Sequence, residues 1–229
     1  MLNNSKHSKE KTGGNRINKS FLALISIASI AFFGFIAMMI MVLCGYNFAI
    51  DNFNKLVANN RNEFWNEFFK IFTHLGSFYT LLILTIVGVL LIWFVMKNKR
   101  MSSFYALCFG KVCLASLIFK LVIKRIRPEH FMIINQMGYS FPSGHAMMSL
   151  AFFVIVSHFV WKTIKNKPLK IALISIFMVV AIMIGFSRVY LGVHYLSDIL
   201  AGWLLTTAIF VSSLIVYNSK MFKALKDKE

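Results

Sequence analysis

The chain places a histidine and an aspartate four residues apart, His194 and Asp198, in the segment Ser187-Arg188-Val-Tyr-Leu-Gly-Val-His194-Tyr-Leu-Ser-Asp198. On a helix that spacing lets the two side chains touch. A carboxylate on one ring nitrogen fixes the tautomer and leaves the lone pair of the other free, which makes an imidazole an oriented nucleophile or base. Asp198 also stands at the edge of an apolar run, where a carboxylate is costly and needs a partner. A purely structural His–Asp pair has the same spacing, so this segment alone leaves both readings open.

Two further segments carry chemistry. In Lys120-Leu-Val-Ile-Lys-Arg-Ile-Arg127-Pro128, seven residues separate Lys120 from Arg127. That is almost two helical turns, so the spacing predicts both cations, with Lys124, on one helical face that ends before Pro128. Plain anchoring also fits, because Lys and Arg at span ends snorkel to head groups. In Phe141-Pro142-Ser143-Gly144-His145, Ser143 is a helix N-cap and Gly144 lets backbone approach a ligand closely. The free N–H groups and dipole of a helix start favour an anion there. His145 can donate a proton near neutral pH, although a capped helix with an incidental histidine has the same sequence.

Together the segments supply three phosphate-binding cations (Lys120, Arg127 and Arg188), an anion-binding helix start, a carboxylate-tethered histidine and a second histidine. Phosphoryl transfer is mainly positioning plus charge stabilisation, and this set provides both.

The ordered pattern Lys-x6-Arg-Pro, Pro-Ser-Gly-His and Ser-Arg-x5-His-x3-Asp resembles the signature of the type-2 phosphatidic acid phosphatase family, from Lys120 to Asp198 without a departure. That family includes bacterial phosphatidylglycerophosphate and undecaprenyl-diphosphate phosphatases and is similar to the soluble vanadium haloperoxidases. The resemblance implies that Lys120, Arg127 and Arg188 hold the phosphate oxygens, helped by Ser143 and the backbone N–H of Gly144. It implies that His194 attacks phosphorus and forms a phosphohistidine, that Asp198 orients His194, and that His145 protonates the leaving lipid oxygen and then activates water.

The elements that must position these residues are membrane spans. Of the 229 residues 58% are hydrophobic and only 14% charged, against about a quarter charged in a soluble domain. The apolar residues sit in charge-poor runs at 20–50, 78–96, 101–119, 146–161, 171–187 and 199–218, six candidate spans of about 20 residues. The first run is too long for a signal core and shows no cleavage pattern, so it reads as a retained span. The expected fold is all-α: a six-transmembrane-helix bundle over residues 20–219. A disordered basic tail over 1–19 precedes it and a basic tail over 220–229 follows, both cytoplasmic.

Residues 51–77 connect the first two spans and carry Phe53, Leu56, Val57, Phe64, Trp65, Phe68, Phe72 and Leu75 at helical spacing. They predict an amphipathic helix, either lying in the membrane interface or packed on the bundle.

The net charge of +17 could suggest nucleic-acid binding, but its distribution argues for topology. With the amino terminus inside and six alternating spans, sixteen of the 25 basic residues flank the inner ends, eight fall outside, and Lys111 lies mid-span. The expected setting is therefore the plasma membrane, with all three motifs on the outer face. Lys111, nine residues from Lys120, points away from the site and is expected to be neutral or paired across the bundle. Cys44, Cys108 and Cys113 lie in apolar runs, an odd number that reads as packing.

A two-metal phosphatase needs several carboxylates or histidines around a paired site. The chain has eight acidic residues, and only Glu129 and Asp198 lie near the motifs. The expectation is thus a reaction with no metal or other cofactor, insensitive to chelator and inhibited by vanadate, a mimic of five-coordinate phosphorus.

The expected partners are a lipid phosphate and the membrane, not nucleic acid. Undecaprenyl diphosphate leads narrowly, phosphatidylglycerophosphate is inseparable from it, and phosphatidic acid and other prenyl diphosphates follow. A phosphate or phospholipid transporter without hydrolysis is the alternative, but it gives no reason for the His–Asp spacing. A haloperoxidase would need bound vanadate, and the spans argue against it.

Overall fold

The computed structural model describes residues 19–226, with side chains through residue 219. The expected tail over 1–19 lies outside the described residues except for Lys19. Eight α-helices follow in order: α1 (Lys19–Leu43), α2 (Phe53–Asn59), α3 (Glu63–Phe72), α4 (Phe78–Phe94), α5 (Lys99–Ile123), α6 (Gly144–Thr163), α7 (Lys167–Tyr190) and α8 (Leu196–Lys226). The last continues seven residues past the boundary expected at 219.

Among the described residues, α1, α5, α6, α7 and α8 are each long and apolar enough to cross a bilayer. The α3–α4 pair, bent by 42° at a short break, makes a sixth candidate span. By itself α4 has 17 residues, at the lower end of the usual range of about 17–25 for a span. The all-helical bundle and the approximate bounds of its spans are as the apolar runs predict.

Local signals explain the helix starts. Asn98 caps α5 by accepting from the Met101 N–H at 3.0 Å, and Asn166 caps α7 from Leu169 at 3.0 Å, with Pro168 in the first turn. Ser77 caps α4 from Thr80 at 3.2 Å.

The most enclosed span is α8; α1 is the least enclosed and packs along it. In lipid there is little hydrophobic drive between helices, so close van der Waals packing must hold them. Small residues allow it. A Cβ at Gly202 of α8 would meet the Met147 side chain of α6 at 3.0 Å, and one at Gly185 of α7 would meet Trp203 at 2.6 Å.

Alternation of the spans puts the connections 44–77, 124–143 and 191–195 at one end of the bundle. The short turns at 95–98 and 164–166 lie at the other.

The connection over 51–77 is not one helix. It breaks at Asn60–Asn62 into α2 and α3, because Asn62 turns its side chain to cap α3, accepting from Trp65 N–H at 3.0 Å. One face of α3 packs on α7 through Phe69 and Tyr190, whose rings are 4.5 Å apart. The opposite face leaves Phe64 70% and Ile71 72% exposed.

Candidate active site

A cavity of about 520 Å³ opens at this end of the bundle, lined by the adjoining ends of α4, α5, α6 and α7 and by residues of the 124–143 and 191–195 connections. Lys120, Arg127, Gly144, His145, Arg188 and His194 all line it, together with Gln136. Its mouth is apolar, formed by the exposed Phe78 of α4 and Leu114 and Leu117 of α5, with Met148 of α6 buried deeper in the wall. The polar groups thus stand at the end of a cleft between α4, α5 and α6 whose outer residues face where lipid would be.

The route by which Lys120 and Arg127 reach this cavity differs from the expectation. They do not share a helical face. The helix α5 ends at Ile123, because Lys124 adopts the left-handed conformation at φ 50° and its N–H closes on the Lys120 carbonyl. Residues 124–128 then fold back, which turns Arg127 inward and leaves Lys124 exposed, away from the site. Lys120 donates from Nζ to the Tyr139 carbonyl at 2.7 Å.

Arg127 is held by the loops around it. Its Nε donates to the Gly138 carbonyl at 2.8 Å and its Nη1 to the Val193 carbonyl at 2.6 Å. The same Nη1 lies 3.2 Å from Nε2 of His194. An arginine can only donate, so Nε2 is the acceptor and the neutral ring carries its proton on Nδ1.

His194 sits in the turn between α7 and α8, not on a helix, and is 2% exposed. Burial, then the positive charges of Lys120, Arg127 and Arg188, push its pKa well below the usual histidine value. The imidazole is therefore neutral at neutral pH, with its Nε2 lone pair directed at the cation cluster.

Asp198 is fully buried in the first turn of α8. Its Oδ2 stands 3.5 Å from His194 Nδ1, an ion-pair distance, but Nδ1 makes no hydrogen bond. The expected tethering hydrogen bond is thus a close approach, because both carboxylate oxygens are engaged elsewhere. Oδ2 accepts from the Tyr195 N–H at 2.9 Å, closing the start of α8, and Oδ1 accepts from Arg125 at 2.6 Å.

Arg188 is 2% exposed and donates to Thr73 Oγ1 at 2.8 Å and Gln136 Oε1 at 2.7 Å, while its buried Nε has no partner. Ser143 occupies the N-cap of α6, yet its buried hydroxyl caps nothing and is also unpartnered. Leaving such groups unpaired costs about 1–3 kcal/mol each, a cost that a bound anion's oxygens would remove. The Ser143 N–H donates to the Asp198 carbonyl at 3.1 Å, which ties the start of α6 to the start of α8. Gly144 leaves little room: a Cβ there would stand 3.2 Å from Ser116 Oγ.

Other residues at the site carry no signal in the motifs. Asn54 of α2, fully buried, donates to the His194 carbonyl at 2.8 Å. Thr73 and Gln136 orient Arg188, and Arg125 and Asp51 engage Asp198 and its neighbour Ser197. Asp51 thereby adds a third acid to the two counted near the motifs. Among the described residues, no three His, Cys, Asp or Glu side chains are grouped to hold a metal ion. Lys111 is away from the cavity and meets the Ser213 hydroxyl of α8 at 3.4 Å.

Residues 100–222 match the PAP2 superfamily. The chain is 31% identical over 165 residues to phosphatidylglycerophosphatase B of Bacillus subtilis, covering 71% of this chain and 80% of that protein. It is 30% identical over 113 residues to an undecaprenyl-diphosphatase of Sulfolobus acidocaldarius, covering 47% of this chain and 50% of that one. The crystal structure of the transmembrane PAP2-type phosphatidylglycerolphosphate phosphatase from Bacillus subtilis superposes with a TM-score of 0.75 at 27% identity, over 84% of this chain and 96% of that one. Aquifex aeolicus LpxE superposes at 0.58 and 26% identity, over 71% and 93%. The family suggested by the three motifs is thus the family that residues 100–222 match, and the chain is a multi-pass membrane member of the PAP2 superfamily.

Proposed function

We propose that this protein hydrolyses the phosphate monoester or diphosphate of a membrane lipid, with His194 as nucleophile. The observation that carries the reading is the convergence of Lys120, Arg127, Arg188, His145 and His194, from three separate stretches of chain, on one cavity with an apolar mouth.

The phosphate's oxygens pair with Lys120, Arg127 and Arg188, and meet the free Ser143 hydroxyl and the N–H of Gly144 at the start of α6. Arg127 turns from Nε2 to the phosphate, and the Nε2 lone pair attacks phosphorus. The N–P bond forms as the bond to the leaving oxygen breaks, and protonated His145 gives that oxygen its proton. Asp198 stabilises the positive charge that develops on the His194 ring. Neutral His145 then takes a proton from water as the water oxygen attacks phosphorus. The N–P bond breaks, inorganic phosphate leaves, and both histidines return to their starting states. Lysine and arginine supply the charge stabilisation in this scheme, and no metal enters it.

The apolar mouth between α4 and α5 supports sideways entry, with the lipid tail still in the bilayer. Undecaprenyl diphosphate and phosphatidylglycerophosphate lead as substrates, in keeping with the names of the similar proteins, and phosphatidic acid follows. The excess of basic residues at the opposite end supports both termini in the cytoplasm and the site at the outer face of the plasma membrane.

The test is release of inorganic phosphate from a panel of purified lipid phosphates in detergent, with His194→Asn as control. The reading expects release from at least one long-chain lipid, lost in the variant. No release from any lipid, or equal release by the variant, would overturn it. Equal hydrolysis of short soluble esters would overturn the sideways-entry element alone.

A further inference from the structure

His194 does not hold Asp198 in place, since its Nδ1 makes no hydrogen bond and stands 3.5 Å from the carboxylate. Something else must orient a fully buried carboxylate that faces the imidazole. The Tyr195 N–H holds Oδ2 at 2.9 Å, and the charged partner is Arg125. Arg125 Nη1 donates to Asp198 Oδ1 at 2.6 Å and to Ser197 Oγ at 2.7 Å, while Nη2 donates to Asp51 Oδ2 at 2.8 Å. The guanidinium plane lies over the Tyr195 ring at 4.1 Å.

Asp51, from the connection after α1, fixes the other side. Its Oδ1 accepts from the Ser197 N–H at 2.9 Å and its Oδ2 from the Ser197 hydroxyl at 2.8 Å. One arginine is therefore clamped between two carboxylates, a hydroxyl and a ring, and one of those carboxylates is the one beside the candidate nucleophile.

We propose that Arg125 is a positioning residue, anchored by Asp51, that holds Asp198 ionised and turned so that Oδ2 faces Nδ1 of His194. The inference rests on the phosphatase reading above. A buried carboxylate without a counter-ion is expensive and tends to take up a proton. With Arg125 in place Asp198 stays anionic, and Oδ1 is pinned on the side away from the ring. That leaves Oδ2 facing the proton-bearing nitrogen, where its charge stabilises the imidazolium-like ring of the phosphohistidine. The two-sided fork matters, because a lysine is a single point charge and cannot span Asp198 and Asp51 in a fixed plane. Arg125 itself does not line the phosphate cavity. It is therefore expected to change the power of the nucleophile and not the binding of phosphate.

The test uses the purified full chain in detergent and compares Arg125→Gln, Arg125→Lys and Asp51→Asn with wild type. Measured are kcat per folded molecule, KM for the best lipid phosphate, inhibition by inorganic phosphate, inhibition by vanadate, and Tm. Arg125→Gln is expected to lower kcat about tenfold or more, with KM and phosphate inhibition within about twofold, and to weaken vanadate inhibition in parallel with kcat. Arg125→Lys recovers part of the loss, and Asp51→Asn shows a smaller loss with the same split. A merely structural clamp would lower Tm, or move kcat, KM and phosphate inhibition together; either without the split, or a smaller loss of kcat, overturns the proposal. If Arg125→Gln does not fold, Arg125→Lys and Asp51→Asn decide by the same split. A wild type that releases no phosphate refutes the function itself; an active wild type with an equally active Arg125→Gln refutes only the positioning role.

Discussion

Nη1 of Arg127 lies 3.2 Å from Nε2 of His194, so the cation that would receive the phosphate rests on the atom that would attack it. The contact fixes the ring's proton on the opposite nitrogen, beside Asp198. Phosphate binding would draw the guanidinium to an oxygen and leave the lone pair aimed at phosphorus. One side chain thus sets the tautomer in the resting site and would neutralise charge in the loaded one.

In the proposed reaction the buried, unpartnered Nε of Arg188 would give the phosphate a further donor as well as a charge. Arg188→Lys keeps the charge but loses the hydrogen bonds to Thr73 and Gln136 that fix its plane. The variant is expected to lose about 10- to 100-fold in kcat/KM, with weaker inhibition by inorganic phosphate. Steady-state kinetics with phosphate as inhibitor checks this, and an unchanged phosphate affinity would count against a direct role.

Gly192 holds together the turn that carries His194. Its φ is +73°, and a Cβ there would lie 1.8 Å from the Phe131 carbonyl oxygen. The Ile133 N–H reaches the Leu191 carbonyl at 3.1 Å across the same contact. Gly192→Ala is therefore expected to cost about 2 kcal/mol or more in stability and to lower Tm, measured by thermal unfolding in detergent. Because the 131–133 loop must retreat, the folded fraction should also lose activity. A variant with wild-type Tm and turnover would show that the two loops are not locked.

Burial and three nearby cations lower the pKa of His194, and attack requires the neutral ring. The acid limit set by His194 must therefore lie below the ordinary histidine value of about 6.5. The single-turnover rate of phosphoenzyme formation, corrected for the substrate's own ionisation, should not fall as pH drops from about 8 to about 6.5, where protonation of His145 only favours departure of the leaving oxygen, and should decline only below that. A decline centred at or above that value would contradict a desolvated His194.

Much of this site was legible in the sequence because its chemistry is carried by residue types that an apolar chain rarely tolerates. A histidine and an aspartate at a span edge, or cations seven apart before a proline, stand out against runs without charge. The spans themselves follow from length and hydropathy, since lipid leaves a backbone few other choices. Geometry was less legible. Helical spacing suggested a shared face for Lys120 and Arg127, yet the left-handed Lys124 ends the helix first and a fold-back brings Arg127 to the cavity. The His194–Asp198 spacing suggested a direct hydrogen bond, but the helix begins between them and Asp198 bonds to Tyr195 and Arg125 instead. Asp51, Asn54, Thr73 and Gln136 reach the site from 52 to 146 residues away in sequence, through contacts that no local pattern encodes. Arg125 was visible only as one more basic residue among those outside the membrane.

The nucleophile can be tested most directly by trapping the intermediate. Wild type is mixed with a lipid phosphate labelled in its terminal phosphoryl group, quenched within one turnover under alkaline conditions that preserve a phosphoramidate, and digested. The account predicts an acid-labile label on the peptide bearing His194, absent from His194→Asn, whose phosphate release should fall by about a thousandfold or more. Full turnover with no labelled protein at any quench time, or a label carried by another residue, would contradict it.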